Sequence, residues 1–317
     1  MTGRHPFIPT LALLALLTTG YQASDAFTRQ PGGQEEPTTE RLAYTVTYLG
    51  IAVARTILDQ SPPSAPDGEW VVRAAAHSTR FWDAFFHIRN TYTSRFNASD
   101  FLPSVYERRV DQGRLRFRRV DHYVDAATDS VAWTGLPSLP DRYAPVGTPE
   151  RIEVARVAAG QENLFSALWF ARFADWDTLP EATRHLFVDG VRWRVHIRRE
   201  EAEERRTYEG RMPTWRLTIG FQRLDPPGSE EEEAERRRQT DYLTKELVRE
   251  SATITLWIAR EPARRPVEVV VKRPGMTVKA ELREPFETER RQRVPAGSFT
   301  GGLRRGVAAK GGTAGSD

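Results

Sequence analysis

The chain has 317 residues, of which 39% are hydrophobic, 28% are charged and 10% are aromatic. Its 46 lysines and arginines exceed its 43 acidic residues by only three, and this near balance argues against a nucleic-acid-binding protein. Cysteine is absent, which excludes disulfide bonds, thiolate nucleophiles and cysteine-based metal sites. The composition also excludes a collagen, a coiled coil and a mostly disordered chain.

The amino-terminal segment has the pattern of a secretory signal peptide. A short basic region precedes an apolar segment at residues 7–17, which is shorter than the roughly 20 residues of an ordinary membrane-spanning helix. Small residues at positions 24 and 26 fit a cleavage site before Phe27. We therefore predict that residues 1–26 direct export, to the periplasm if the host is Gram-negative, and that no transmembrane span remains after the signal is removed.

Composition divides the rest of the chain into three parts. Residues 27–40 are polar and rich in glycine and proline, which predicts a flexible leader. Residues 286–317 are too poor in large apolar side chains to pack, which predicts a disordered tail. Residues 41–285 remain as a single β-rich domain.

Strand patterns dominate this domain. Tyr44, Val46 and Tyr48 alternate with threonines, as in a half-buried strand, and Asp189-Gly190 indicates a hairpin turn. Ten strands of this kind are predicted, at residues 44–48, 70–76, 105–110, 114–120, 186–188, 191–197, 211–221, 253–258, 267–272 and 277–282. Successive hairpins predict a mainly all-β fold, a curved antiparallel meander that forms an open or partly closed barrel.

Two segments depart from the strand pattern. In the first, Leu164, Leu168 and Ala171 recur at helical spacing after Asn163, which is a good helix N-cap. This pattern predicts a helix of three turns, at about residues 163–176, whose aromatic face is able to plug one end of the barrel. The charge-rich second segment predicts a short helix within residues 230–250.

Four short motifs occur in order along the chain. They are Tyr48-Leu49-Gly50-Ile51 with Ala54; Tyr92 and Ser94 followed by Leu102-Pro103; Phe165-Ser166-Ala167-Leu168-Trp169-Phe170-Ala171-Arg172; and Leu256-Trp257-Ile258 followed by Arg265-Pro266-Val267. With these motifs, over about residues 41–284, the chain resembles the exported bacterial family called domain of unknown function 3108. The resemblance implies an exported β-rich domain. It assigns no catalytic residue, because the activity of the family is unknown.

Motifs of catalytic and cofactor chemistry are absent from the sequence. The chain lacks the G-x-S-x-G of serine hydrolases, the H-E-x-x-H of zinc enzymes and the glycine-rich loops that bind nucleotides. We therefore predict no catalytic residue, no cofactor and no metal ion, and we favour a non-catalytic protein.

Aromatic residues and arginines supply the candidate ligand site. The side chains predicted to line a cavity for an apolar ligand are Phe81, Trp82, Phe85, Phe86, Trp169, Phe173 and Trp176. In the alternative interpretation, they only form the core and close a barrel end. Arg192 and Arg194 are predicted to lie at the cavity mouth. A wider basic patch with Arg114, Arg116 and Arg118 requires that the two arginine-bearing strands are neighbours.

Three function hypotheses follow. The first is an exported, non-catalytic protein of the cell envelope that binds a lipid, a glycolipid or another amphipathic ligand. The second is a protein-interaction or assembly module, which binds an envelope protein through a sheet edge or a basic strand face. The third and least favoured is a carbohydrate-active enzyme with two carboxylates roughly 5–10 Å apart, because nothing in the chain nominates such a pair.

Overall fold

The computed structural model describes residues 40–283, apart from residues 66, 125–151, 159 and 262–263. The predicted signal peptide and tail lie outside the described residues, as does the predicted leader apart from residue 40.

Fourteen strands and four helices make up the described part of the chain. The first seven strands are β1 (Glu40–Tyr48), β2 (Ile51–Ser61), β3 (Glu69–Ser78), β4 (Arg89–Asn97), β5 (Pro103–Gln112), β6 (Leu115–Val124) and β7 (Ile152–Ala158). The other seven are β8 (Glu181–Val188), β9 (Val191–Arg199), β10 (Glu203–Thr207), β11 (Gly210–Arg223), β12 (Thr253–Ala259), β13 (Pro266–Arg273) and β14 (Met276–Arg283). The helices are α1 (Arg80–Asp83), α2 (Leu164–Phe173), α3 (Glu230–Gln239) and α4 (Tyr242–Leu247).

The strands form one nearly closed barrel. Thirteen of them follow the order β7-β6-β5-β4-β3-β2-β1-β14-β13-β12-β11-β9-β8, and β10 pairs with β11 outside this path. These pairs are antiparallel except for β6 with β7. The predicted β-meander in a partly closed barrel is confirmed. The structure has fourteen strands where ten were predicted, and the four additional strands are β2, β4, β7 and β10.

Gly160 and Glu162 belong to a short segment that lies between the two ends of this strand order. Gly160 has a φ of 76°, a left-handed conformation that glycine adopts without steric cost. Beyond it, Glu162 lies beside β8, where its N–H donates to the carbonyl of His185 at 2.8 Å. Its own carbonyl accepts the N–H of Phe187 at 2.9 Å. This bridge crosses the gap between β7 and β8 and leads directly into α2.

Helices occupy both ends of the barrel. The α2 end contains α2 and the β4–β5 turn at residues 98–102. The α1 end contains α1, α3, α4 and four strand turns, at residues 49–50, 113–114, 189–190 and 274–275. The predicted helix at 163–176 is confirmed over Leu164–Phe173, with Trp176 beyond its last turn. The predicted helix within 230–250 is two helices, because Asp241 caps a second one.

Candidate functional site

Asn163 begins α2 in the way its sequence predicts. Its side-chain oxygen accepts the N–H groups of Phe165 at 2.9 Å and Ser166 at 3.0 Å. The Ser166 hydroxyl accepts the Asn163 N–H at 3.1 Å, which completes a capping box. The Asn163 amide also donates to Ser94 of β4 at 3.0 Å. These bonds fix the start of α2 to the inner face of the barrel.

Aromatic side chains of α2, and that of Trp176 just beyond it, pack in the barrel interior at the α2 end. Trp169 is 1% exposed and Trp176 is 0% exposed. The ring of Trp169 lies 6.3 Å from that of Trp70 and 5.9 Å from that of Phe96, between ring centroids. Phe173 stacks on Trp70 at 5.4 Å. The structure thus brings together three of the predicted ligand residues, but they pack against one another and against strand side chains.

A buried arginine anchors the carboxyl-terminal end of α2. The Nε of Arg172 donates to the carbonyl of Arg264 at 2.9 Å, and its guanidinium lies 3.9 Å from the Glu40 carboxylate. Burial raises the pKa of Glu40 to about 7, because the attraction of Arg172 only partly offsets it. Burial also lowers the pKa of Arg172 to about 9.

A second carboxylate lies just before α2. Glu162 is buried and forms an ion pair with Arg184 of β8. Burial raises the pKa of Glu162 to about 7, against the opposing effect of the Arg184 hydrogen bond and charge. Both ends of α2 are therefore flanked by an arginine–carboxylate pair whose carboxylate binds protons near neutral pH.

The other four predicted aromatic residues lie at the α1 end, so the structure separates the predicted set into two groups. Phe86 faces inward, with its ring centroid 4.8 Å from that of Tyr242. It also lies against Gly113, where a Cβ atom would come within 2.6 Å of the ring. Phe81 and Phe85 face solvent, whereas Trp82, like Phe86, is partly buried against the core. A role in ligand binding remains a prediction for both groups.

Four exposed apolar side chains share the α1 end, and we call them the apolar rim. They are Leu49 (69% exposed), Ile51 (57%), Phe81 (65%) and Phe85 (64%). The β1–β2 turn and α1 lie side by side, because the Thr79 N–H donates to the carbonyl of Val53 at 3.0 Å. Among the described residues, the one further exposed large apolar side chain is Tyr208, on the β10–β11 turn.

A buried ionic network lies inside the barrel towards the α1 end. Arg108 of β5 lies 2.7 Å from Asp189, 3.3 Å from Asp241 and 3.6 Å from Asp121. Arg119 of β6 pairs with Asp121 at 2.7 Å. Burial lowers the pKa of Arg108, but the three carboxylates together raise it well above its usual value. The network joins β5 and β6 to the β8–β9 turn and to the first turn of α4.

Arg192 and Arg194 lie on the outer face of β9, and their role in ligand binding remains a prediction. Arg192 donates to Asp225 at 2.6 Å, and Arg194 donates to the Gln222 side chain at 3.2 Å. The strand β6, which carries Arg116 and Arg118 and follows Arg114, is separated from β9 by β7 and β8. The two arginine-bearing strands are therefore not neighbours, and the condition for one wide basic patch is not met.

A polar groove of about 280 Å³ lies between β10 and the outer face of β1, β13 and β14. Its lining includes Arg205, Glu268 and Glu281. Arg205 lies 3.3 Å from Glu268, and Lys279 lies 2.7 Å from Glu281. Three of the lining charges are therefore paired, whereas the exposed Arg206 also lines the groove.

The family model for Protein of unknown function (DUF3108) matches residues 43–283. The chain belongs to the DUF3108 family.

Several solved structures are similar to this DUF3108 protein. One is a β-barrel-like protein of domain of unknown function DUF1849 from Brucella abortus, with 8% identity, a TM-score of 0.43, and coverage of 76% of this chain and 94% of that chain. Another is a proposed lipoprotein from Parabacteroides distasonis ATCC 8503, with 10% identity, a TM-score of 0.31, and coverage of 78% and 94% respectively. A third is a proposed exported protein with a YmcC-like fold from Bacteroides fragilis NCTC 9343, with 9% identity, a TM-score of 0.30, and coverage of 76% and 92%. No curated protein is significantly similar to the chain.

Two negative findings apply to the part of the DUF3108 chain that the structure describes. None of its helices is long and apolar enough to cross a bilayer. No group of three or more histidine, aspartate or glutamate side chains is arranged to hold a metal ion. The three aspartates around Arg108 are instead held by arginine.

Sequence reasoning missed the ionic network of the DUF3108 barrel. It interpreted Asp189 as a turn residue and gave no role to Arg108. One signal was present, because Tyr106 and Arg108 share a strand face, and so do Phe117 and Asp121. A charge in the core-facing position of a strand indicates a buried partner.

Proposed function

We propose that this DUF3108 protein is an exported, non-catalytic protein of the cell envelope that binds an amphipathic, lipid-like ligand through its outer surface. The observation that carries this proposal is the contrast between the filled α2 end and the exposed apolar rim. Trp169 and Trp176, which would have to line an internal cavity, pack in the core. Phe81 and Phe85 are free to contact a ligand outside the barrel.

Export is supported by the amino-terminal pattern of a short basic region, an apolar segment and small residues before Phe27. The test is fractionation of the native host, followed by amino-terminal sequencing of the purified protein. We expect a periplasmic protein that begins at Phe27. A cytoplasmic protein that retains Met1 would contradict export.

The choice between an outer surface and an internal cavity is tested by native mass spectrometry and lipid extraction. The sample is the mature protein, residues 27–317, purified from its own periplasm without detergent. We expect the mass of the unmodified chain with no stoichiometric lipid, because the described interior is filled by α2. One tightly held lipid per chain would indicate an internal site and contradict this part of the proposal.

A second candidate function is the protein-interaction module, and β10 favours it. β10 pairs with β11 and with no other described strand. The free edge of such a strand can bind an extended segment of another protein. Photo-crosslinking in intact cells compares Arg206 on β10 with Phe81 on the apolar rim. A protein adduct at Arg206 alone would favour the second candidate, whereas a lipid adduct at Phe81 alone would favour the first.

A further inference from the structure

We propose that the apolar rim inserts into the surface of an anionic phospholipid bilayer, while Arg80, Arg114 and Lys272 contact the lipid phosphates. This inference rests on the proposed function and names the ligand of the outer surface. It is carried by three observations: exposed apolar side chains on a firmly held support, unpaired cations around them, and acidic groups that are too few to cancel the charge of those cations.

The segment that carries Phe81 and Phe85 is held firmly on the barrel. Ser78 donates to Asp83 at 2.7 Å, and Arg89 binds the same carboxylate at 2.6 Å. On the inner side, Phe86 packs on Tyr242 of α4. Phe81 and Phe85 themselves lie 5.4 Å apart between ring centroids. Their exposure is therefore a property of a well-packed turn. It is unfavourable for the folded protein, because it keeps apolar surface in contact with water.

Unpaired cations surround this apolar rim. Arg80 lies on α1, and Arg114 lies on the β5–β6 turn, which the Gly113 N–H ties to the carbonyl of His87 at 3.1 Å. Lys272 lies near the β13–β14 turn, on the neighbouring hairpin. All three side chains are exposed. Within the described part of the chain, they form no ion pair, so their charges are available to an anionic partner.

The nearby acidic groups do not cancel these charges. Asp83 is paired with Arg89 at 2.6 Å, and Asp111 lies 3.0 Å from the ring nitrogen of His87. The exposed glutamates at the start of α3 lie on the other half of this barrel end, where Arg223 pairs with Glu233. The half that carries α1 therefore combines apolar tips with an excess of positive charge.

Apolar side chains beside positive charges fit an anionic bilayer surface better than they fit an uncharged ligand. Aromatic and leucine side chains insert at the boundary between headgroups and acyl chains, while arginine and lysine bind anionic headgroups. Each basic side chain near an anionic leaflet adds to this attraction, and salt weakens it. The rim projects from the β1–β2 turn with the first residue of β2, and from α1 with the residues just after it. Its apolar side chains can therefore enter the interface without any unfolding.

Vesicle flotation tests the inference with the full mature protein. The vesicles contain phosphatidylcholine with phosphatidylglycerol, or phosphatidylcholine alone. The main variant is F81S/F85S, and the charge variant is R80Q/R114Q. The matched control is Y208S, which removes an exposed aromatic ring on the β10–β11 turn, away from the rim. Thermal unfolding confirms that each variant is folded before it is compared.

We expect the wild type and Y208S to float equally well with phosphatidylglycerol vesicles. F81S/F85S should bind at least about tenfold more weakly, because each buried phenylalanine contributes enough for roughly a tenfold change. R80Q/R114Q should bind several-fold more weakly and lose most of its salt dependence. A wild type that does not float, or an F81S/F85S variant that floats as the wild type does, would overturn the inference.

Failure of this inference is distinguishable from failure of the proposed function. A periplasmic protein with a lipid-free native mass that does not float would refute the bilayer proposal and leave an outer-surface binding protein. One tightly held lipid per chain in native mass spectrometry would refute the outer-surface part of the proposed function, whatever the flotation result.

Discussion

The two ends of the barrel use aromatic side chains in opposite ways. At the α2 end, Trp169 and Trp176 are buried, whereas at the α1 end Phe81 and Phe85 face solvent. Residue type does not explain the difference, since all four side chains are large and apolar. Helix geometry does: α2 has ten residues and a complete capping box inside the barrel, whereas α1 has four residues, none of them buried. The same chemistry therefore serves as core at one end and as surface at the other.

The two ends also differ in how they hold buried charge. Towards the α1 end, Arg108 is surrounded by three aspartates that hold it in its charged form. At the α2 end, Glu40 and Glu162 each rely mainly on one arginine, and their pKa values rise to about 7. We therefore expect the α2 end to respond to pH near neutrality.

The largest expected effect is at the centre of the buried aromatic cluster. W169A should lower the free energy of unfolding by about 3–5 kcal/mol, because it removes a fully buried ring and leaves a cavity. F81A, the matched change at the exposed end, should lower it by less than about 0.5 kcal/mol. Denaturant unfolding measures both. Equal losses for the two variants would remove the proposed contrast between the ends.

Removal of the central arginine of the ionic network should have an effect of similar size. R108M leaves the buried carboxylates of Asp189 and Asp241 without the arginine that pairs with both of them. This loss should lower the free energy of unfolding by about 3–5 kcal/mol. R114M, which changes an exposed arginine, serves as the control in the same denaturant series. A loss for R108M no greater than that for R114M would show that the network does not stabilise the fold.

The pH dependence of stability should follow the two carboxylates beside α2. Because the folded-state pKa values of Glu40 and Glu162 lie near 7 and those of the unfolded chain near 4.5, the folded state binds more protons between these values. Their stabilising contribution is full below about pH 4.5 and is lost as the pH rises through about 7. For Glu162 the loss is about 3 kcal/mol.

E162Q tests this directly, since glutamine does not titrate. The variant should lose the part of the fall in stability between pH 4.5 and pH 8 that Glu162 contributes, and the remaining slope comes from other groups with shifted pKa values, among them Glu40 and Glu268. E231Q, an exposed glutamate on α3, should keep the wild-type slope. Thermal melts across this pH range decide the matter, and an unchanged slope for E162Q would show that Glu162 is not the titrating group.

The smallest expected effect compares two helix caps. N163A should cost about 1–2 kcal/mol, because it removes the acceptor for two N–H groups of α2 and the bond to Ser94. S229A removes the corresponding cap of α3, which lies at the surface, and should cost about 0.5–1 kcal/mol. A larger loss for S229A than for N163A would contradict the view that α2 is the more important anchor.

Much of the fold was predictable where one strand face is apolar. The alternation at Tyr44 and Val46 predicted β1, and Asn163 predicted the start of α2. The strands that were missed lack this signal for physical reasons. β4 places Asn90 and Ser94 on its buried face, where they hydrogen-bond to Gln112 and Asn163. β10 carries mainly charged side chains on both faces.

The site was less predictable than the fold. Arg108 meets Asp241, which lies 133 residues further along the chain, and no local pattern shows that pairing. Similarly, the sequence clusters Phe81 with Phe86 but does not show which ring turns outward. That choice depends on Gly113 and Tyr242, which accept Phe86 into the packed interior.

Hydrogen–deuterium exchange of the mature protein, with and without phosphatidylglycerol vesicles, tests the central claim most directly, because it compares both ends of the barrel in one measurement. The account predicts that vesicles slow exchange at residues 49–53 and 79–87 and leave residues 163–176 unchanged. Slower exchange at 163–176, with no change at 49–53 and 79–87, would place the lipid inside the barrel and contradict the account.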